Sequence, residues 1–193
     1  MSRPSNPKSD PPAKPGRSRL RFALEMLFGA GLLVLAIYRL APQARAALGA
    51  NADGTMAPPV MLEMLDGSTT SLAQLRGRVV LVNFWATWCP PCRFEMPGFQ
   101  KVYEARKADG FVIIGLSADE GPRSHVVDFL RERRITYPVG IATSSAASAF
   151  GGMNGLPTSF LIDRKGRIRY RVSGVFTEVA LGQAVDRLLA EPK

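Results

Sequence analysis

Histidine occurs once in this chain, at His125, and cysteine only twice, at Cys89 and Cys92. Zinc takes about four Cys or His ligands, so this supply argues against a built zinc site. Internal repeats are absent, which excludes solenoid architectures. Acidic residues are scarce beside basic ones, 16 against 25, for a net charge of +9. That excess divides. Residues 1–58 carry eight Lys or Arg against three Asp or Glu, hence +5, and the remainder carries seventeen against thirteen, hence +4. Half of it is therefore a topology signal. Arg131, Arg133 and Arg134, and the alternating Arg167, Arg169 and Arg171, read as solvated charged faces and not as a nucleic-acid patch.

What is present centres on Trp88-Cys89-Pro90-Pro91-Cys92. The pair follows the apolar run Val79-Val80-Leu81-Val82-Asn83-Phe84, too short for a helix and rich in β-branched residues, hence a buried strand. From Cys92 to about Ala108 the pattern is helical, with Phe94, Phe99, Val102 and Tyr103 as its apolar residues. The cysteines thus lie where a strand ends and a helix begins. A helix start offers unpaired N–H groups and about half a positive charge, which favours an anion. Cys89 at that end should be the attacking thiolate, with a lowered pKa. Cys92, one turn further in, can resolve a mixed disulfide. Pro91 suits the first turn, where a missing N–H costs nothing. A purely structural disulfide closing so small a ring would stabilise little.

Val82-Asn83-Phe84-Trp85-Ala86-Thr87-Trp88-Cys89-Pro90-Pro91-Cys92-Arg93-Phe94-Glu95-Met96-Pro97 resembles the active-site segment of the membrane-anchored, thioredoxin-like TlpA, ResA and CcmG (DsbE) proteins of bacteria. The resemblance runs from about Ala57 to the C-terminus. It implies an α/β thioredoxin-like fold, a central mixed sheet flanked by helices, with an N-terminal β-hairpin-like extension and an α-β insertion. It also implies thiol–disulfide oxidoreductase activity through a Cys89–Cys92 disulfide, with no metal and no cofactor.

The first 21 residues hold five prolines among six Lys or Arg without apolar periodicity, and read as a disordered basic tail. Residues 22–41 read as a transmembrane signal anchor. Phe22 to Tyr38 is nearly all apolar, at the short end of a span, with Glu25 near one end. Basic flanks stay cytoplasmic, so the rest of the chain is exported. Ala50-Asn51-Ala52 has the form of a cleavage site but begins a dozen residues beyond Tyr38, so an uncleaved anchor is the preferred reading over a signal peptide. Residues 42–59, rich in Ala, Gly and Pro, read as a linker. The domain is expected over 60–193.

Within it, Val60–Leu65 reads as a strand before the turn Asp66-Gly67. Ser71 can cap a short helix through Arg76. Pro97 should kink the helix that follows the cysteines. Phe111–Ser117 is a second buried strand, so the strand–helix–strand unit is parallel and right-handed. Arg123–Arg133 is an amphipathic helix facing inward through Val126, Val127 and Leu130, with Tyr137–Ile141 a short strand; together they resemble the family's insertion. Ser144–Phe150 is a short helix ended by Gly151-Gly152. Thr158–Ile162 and Arg167–Ser173 form a hairpin. Thr177–Leu189 closes the fold through Val179, Leu181, Ala184, Val185 and Leu188.

Three further positions carry functional expectations. On spacing alone Pro157 is an ordinary turn proline; the resemblance implies a cis-proline beside the cysteines, with Leu156 offering its backbone to a substrate strand. Glu95, one turn past Cys92 on the same face, would by itself read as an exposed helix glutamate. The resemblance implies a role in managing protons at the pair, and Asn83 stands where thioredoxins carry a titrating aspartate. Trp88, with Pro90 and Pro91, should supply contacts to partners, whereas Trp85 reads as core. His125 reads as a capping or surface residue. Copper chaperones of the Sco type pair Cys-x-x-x-Cys with a late histidine, and peroxiredoxins place one cysteine after Pro-x-x-x-Thr; neither pattern occurs. The implied partners are a membrane thiol-electron donor of DsbD or CcdA type and clients with oxidised cysteines, apocytochrome c or oxidase assembly factors. The non-enzymatic alternative is a tethered metal-binding or assembly module using the same cysteines.

Overall fold

The computed structural model describes residues 25–32, 34, 54–152 and 155–192. Residues 25–32 and 34 are helical, with Met26, Leu27, Phe28, Leu32 and Val34 exposed. Among the described residues no helix is long and apolar enough to cross a membrane. The expected anchor, 22–41, and the first part of the expected linker lie largely outside them.

From residue 54 onward the chain builds a two-stranded sheet and a five-stranded mixed sheet. A two-stranded antiparallel hairpin, β1 (Met61–Glu63) and β2 (Thr69–Ser71), comes first. A 3-10 turn at Leu72–Leu75 follows, its start tied by the Ser71 N–H donating to the Gln74 side chain at 2.9 Å. Then come β3 (Val79–Trp85), α1 (Pro90–Arg106), β4 (Phe111–Ser117), α2 (Arg123–Glu132), β5 (Val139–Ile141), α3 (Ser144–Ala149), β6 (Thr158–Ile162), β7 (Ile168–Ser173) and α4 (Glu178–Ala190). The sheet order is β5-β4-β3-β6-β7. Strands β3, β4 and β5 run parallel, and β6 and β7 are antiparallel to their neighbours. This is a thioredoxin-like α/β fold with an added hairpin and an α2–β5 insertion.

Side chains alternate across β3, so its two faces feed two cores. Val79, Leu81 and Trp85 join Phe99, Ile113, Phe176 and Leu181 under α1 and α4; Val80, Val82 and Phe84 join Ile114, Leu116, Phe150 and Phe160 on the other face. Asn83 falls by the same alternation on the α1 face. Both faces of β3 are covered, which is why its sequence is a continuous apolar run.

Two glycines permit close approaches. A Cβ at Gly98 would lie 2.8 Å from the Glu178 Cβ, so glycine lets α1 seat against the start of α4. A Cβ at Gly140 would collide with the Glu63 carbonyl, so glycine lets β5 bridge Met64 of the hairpin. Arg106 reinforces the α1–α4 contact with two bonds to Asp186, at 2.5 and 2.7 Å.

Several expectations need correction. Phe94, Val127 and Val179 are exposed, not core. On α1 the buried face is Cys92, Glu95, Met96, Phe99 and Val102. Phe129, not Val127, turns inward from α2 and stacks on Trp85 with ring centroids 5.6 Å apart. Shifts of one or two residues of this kind follow from a helix whose buried arc is set by its neighbours. The strand expected from Tyr137 begins only at Val139. Residues 54–57, read as linker, pair with the sheet edge: Gly54 N–H donates to the Ile168 carbonyl, and Met56 bridges Arg167. Pro97 lies inside α1, as the expected kink requires.

Candidate active site

The site begins where β3 runs out. Strand pairing ends at Trp85, and the chain turns with the Cys89 N–H donating to the Ala86 carbonyl at 3.2 Å. Asp119, just beyond β4, pins that turn. Its carboxylate accepts from the Thr87 N–H at 3.0 Å, the Thr87 hydroxyl at 2.6 Å and the Ser117 hydroxyl at 2.7 Å. The sequence reading missed Asp119. Its only trace there is an acidic residue two places after a buried strand's last serine.

Cys89 is the N-cap of α1, with extended backbone (φ −90°, ψ 106°). Pro90 and Pro91 occupy the first helical positions, where N–H groups would be orphaned in any case. The first free donor is the Cys92 N–H, and it points at the Cys89 Sγ at 3.3 Å. A thiolate at Cys89 would therefore have a backbone donor and the positive end of the helix. The two sulfurs are bonded in a disulfide, with Cα atoms 5.3 Å apart. Cys92 is fully buried, and Cys89 is nearly so, at 3% exposure. Both cysteines are thus covered in the oxidised state. What protrudes is the rim: Trp88 at 67% exposure, with Pro90 and Pro91 beside it.

Glu95 lies in the core, 3% exposed. Its Oε1 accepts from Asn83 Nδ2 at 2.9 Å and its Oε2 from the Phe176 N–H at 2.9 Å. Burial pushes its pKa up to about 8, against the pull of those two donors. Asn83 Nδ2 also donates to Ser159 Oγ at 3.0 Å, across the β3–β6 pairing of those residues. Tyr137 is buried nearby, its phenol pKa raised by desolvation and then by the Glu95 charge.

The Leu156–Pro157 peptide is cis, and Pro157 is buried. Register sets it at the end of β6 that faces the end of β3, since Phe84 pairs with Thr158. Leu156 is half-buried against the cluster that contains both cysteines. His125 is exposed on α2. Among the described residues no group of three His, Cys, Asp or Glu could hold a metal ion.

A thioredoxin-like fold carrying a Cys-x-x-Cys pair at a helix start defines the class: the protein is a thiol–disulfide oxidoreductase. Comparison with known proteins names the group. The AhpC/TSA family model matches residues 54–171. The chain is 32% identical over 135 residues to thiol-disulfide oxidoreductase ResA of Geobacillus thermodenitrificans, covering 70% of this chain and 77% of that one. It is 37% identical over 128 residues to ResA of Bacillus thuringiensis, covering 66% and 73%. Among solved structures, a thiol:disulfide interchange protein of the thioredoxin family from Chlorobium tepidum superposes with a TM-score of 0.66 at 34% identity, covering 72% of this chain and 99% of that one. StoA from Bacillus subtilis gives a TM-score of 0.57 at 27% identity, covering 66% and 98%. The chain belongs to the AhpC/TSA family, with ResA-type thiol–disulfide oxidoreductases as its relatives.

Proposed function

We propose that this oxidoreductase works as a reductase of disulfides in exported client proteins, held at the membrane by residues 22–41 with its catalytic domain on the extracytoplasmic side. The observation that carries the reading is the N-cap position of Cys89, its sulfur facing the Cys92 N–H at 3.3 Å. In the reduced protein the Cys89 thiolate attacks a client disulfide. A Cys89–client bond forms, and the client's other sulfur leaves as a thiolate. Cys92 then attacks the Cys89 sulfur, closing the enzyme disulfide and releasing the second client thiol. Two electrons have passed to the client, and a donor dithiol of DsbD or CcdA type returns them. Trp88, Pro90, Pro91, Leu156 and Pro157 form the client contact, and Glu95 manages protons at the pair. Apocytochrome c and oxidase assembly factors are the proposed clients, by resemblance to the family.

Replacing Cys92 by serine tests the direction of attack. The variant should accumulate Cys89 joined to its client, and Cys89→Ser should trap little. If Cys92→Ser captures nothing, and acid-quenched alkylation shows the wild-type pair never changing redox state in cells, the reductase reading is wrong. The tethering rests on the basic residues before Phe22 and the apolar run after it. Full-length protein should fractionate with membranes. Recovery of a soluble species lacking about the first fifty residues would replace the anchor with a signal peptide.

A further inference from the structure

Every recorded polar contact on Glu95 is a donor aimed at it: Asn83 Nδ2 on one oxygen and the Phe176 N–H on the other. That set suits a carboxylate and gives the protonated acid nothing to donate to. Asn83, however, carries an acceptor on the same side chain. Its Oδ1 is buried and has no hydrogen-bond partner among the described residues. A half-turn about the terminal torsion exchanges Oδ1 and Nδ2, and such torsions are broad and two-fold. After the turn, the Glu95 O–H donates to Oδ1. The Ser159 hydroxyl, which accepts from Nδ2 at 3.0 Å in the observed orientation, can donate instead. The third corner of the amide is unpaired either way, so no further bond locks its orientation.

We propose that Asn83 and Ser159 form a reversible relay for Glu95, the Asn83 amide donating to the carboxylate and, turned over, accepting from the carboxylic acid. This rests on the reading that Glu95 exchanges protons with the cysteine pair. Each turn accompanies one proton gained or lost at Glu95, taken from or returned to the thiols one helical turn away. The titratable groups facing Glu95 are those thiols on α1 and the Tyr137 phenol ahead of β5. Among the described residues, β3 and the loop before α4 present the Asn83 amide and the Phe176 N–H to Glu95, and Ser159 of β6 reaches it only through Asn83. Asn83 and Ser159 are positioning residues: neither touches the sulfurs in any recorded contact.

The test uses the full chain in detergent, with labelled asparagine and glutamate side chains followed by NMR from about pH 5 to about pH 9, the range that brackets the raised carboxyl and the thiols. The Asn83 amide resonances should shift with the midpoint of the Glu95 carboxyl, and that transition should vanish in Glu95→Gln. Asn83→Leu removes both the donor to the anion and the acceptor of the acid; the bond to the charged form is the stronger, so the Glu95 midpoint should rise, by less than about one unit. Ser159→Ala should raise it less. An Asn83 amide that stays still while Glu95 titrates overturns the relay, as does an unmoved midpoint in Asn83→Leu. Should Asn83→Leu not fold, the wild-type shifts and Ser159→Ala decide. Alkylation of Cys89 against pH in Glu95→Gln separates the two ideas. An unchanged profile there removes the proton role of Glu95, whereas a changed profile with a motionless Asn83 amide removes only the relay.

Discussion

Replacing Glu95 by glutamine should flatten the dependence of stability on pH. In the folded protein the carboxyl is 3% exposed and its pKa is pushed up to about 8. In the unfolded chain it returns to the ordinary glutamate value near 4.5. Between those values the folded state holds a proton that the unfolded state has lost. Stability therefore falls as pH rises through this window, and the contribution is whole only below the unfolded value. A gap of about 3.5 units corresponds to on the order of 5 kcal/mol over the full interval, at about 1.4 kcal/mol per unit. Glutamine keeps the shape and an acceptor for the Phe176 N–H but cannot ionise. Urea unfolding of the disulfide-bonded protein at steps from about pH 5 to about pH 9 reads the difference. Wild type should weaken from about pH 5 to about pH 8 and then level off, and Glu95→Gln should not, so the variant becomes the more stable protein at the alkaline end. A wild-type curve that is level from about pH 5 to about pH 8, or a variant with the same slope, would refute the assignment of a raised pKa to Glu95.

Two further substitutions probe the frame around the site. Gly98→Ala drives a Cβ to 2.8 Å from the Glu178 Cβ; despite alanine's better helix propensity, it should destabilise by about 1–3 kcal/mol in thermal or urea melts. Asp119→Ala strips the Thr87 N–H and hydroxyl of their acceptor and should cost about 1–3 kcal/mol. It should also slow disulfide exchange with a protein client in a stopped-flow assay, because the turn that presents Trp88 and Cys89 loses its tie to β4.

The elements were legible in the sequence wherever a local pattern carries them. The continuous apolar run of β3 reads as a strand covered on both faces because no polar side of it exists to meet water. Thr158–Ile162 and the turn after it read as a hairpin from turn chemistry alone. Helix faces were read less well. Val127 and Val179 fit an apolar stripe by spacing, yet lie outside it. The arc that a helix buries depends on what packs against it, as Phe129 does on Trp85, and spacing alone does not contain that.

The same division runs through the site. The sequence by itself determined that Cys89 and Cys92 stand at a strand-to-helix junction, with prolines where N–H groups are dispensable. Each of those facts involves residues within one helical turn of each other. It also determined that Glu95 shares a helix face with Cys92, since α-helical geometry sets that relation. Only the tertiary structure decided that this face is sealed. The partners of Glu95 are Asn83, 12 residues before it, and the Phe176 N–H, 81 residues after it. Ser159 reaches Asn83 across 76 residues, and Asp119 reaches Thr87 across 32. A carboxyl's pKa depends on the water and donors around it, and three separate strands and loops must close over α1 before that surrounding exists. No local pattern encodes their meeting, so the chemistry of Glu95 belongs to the packed fold.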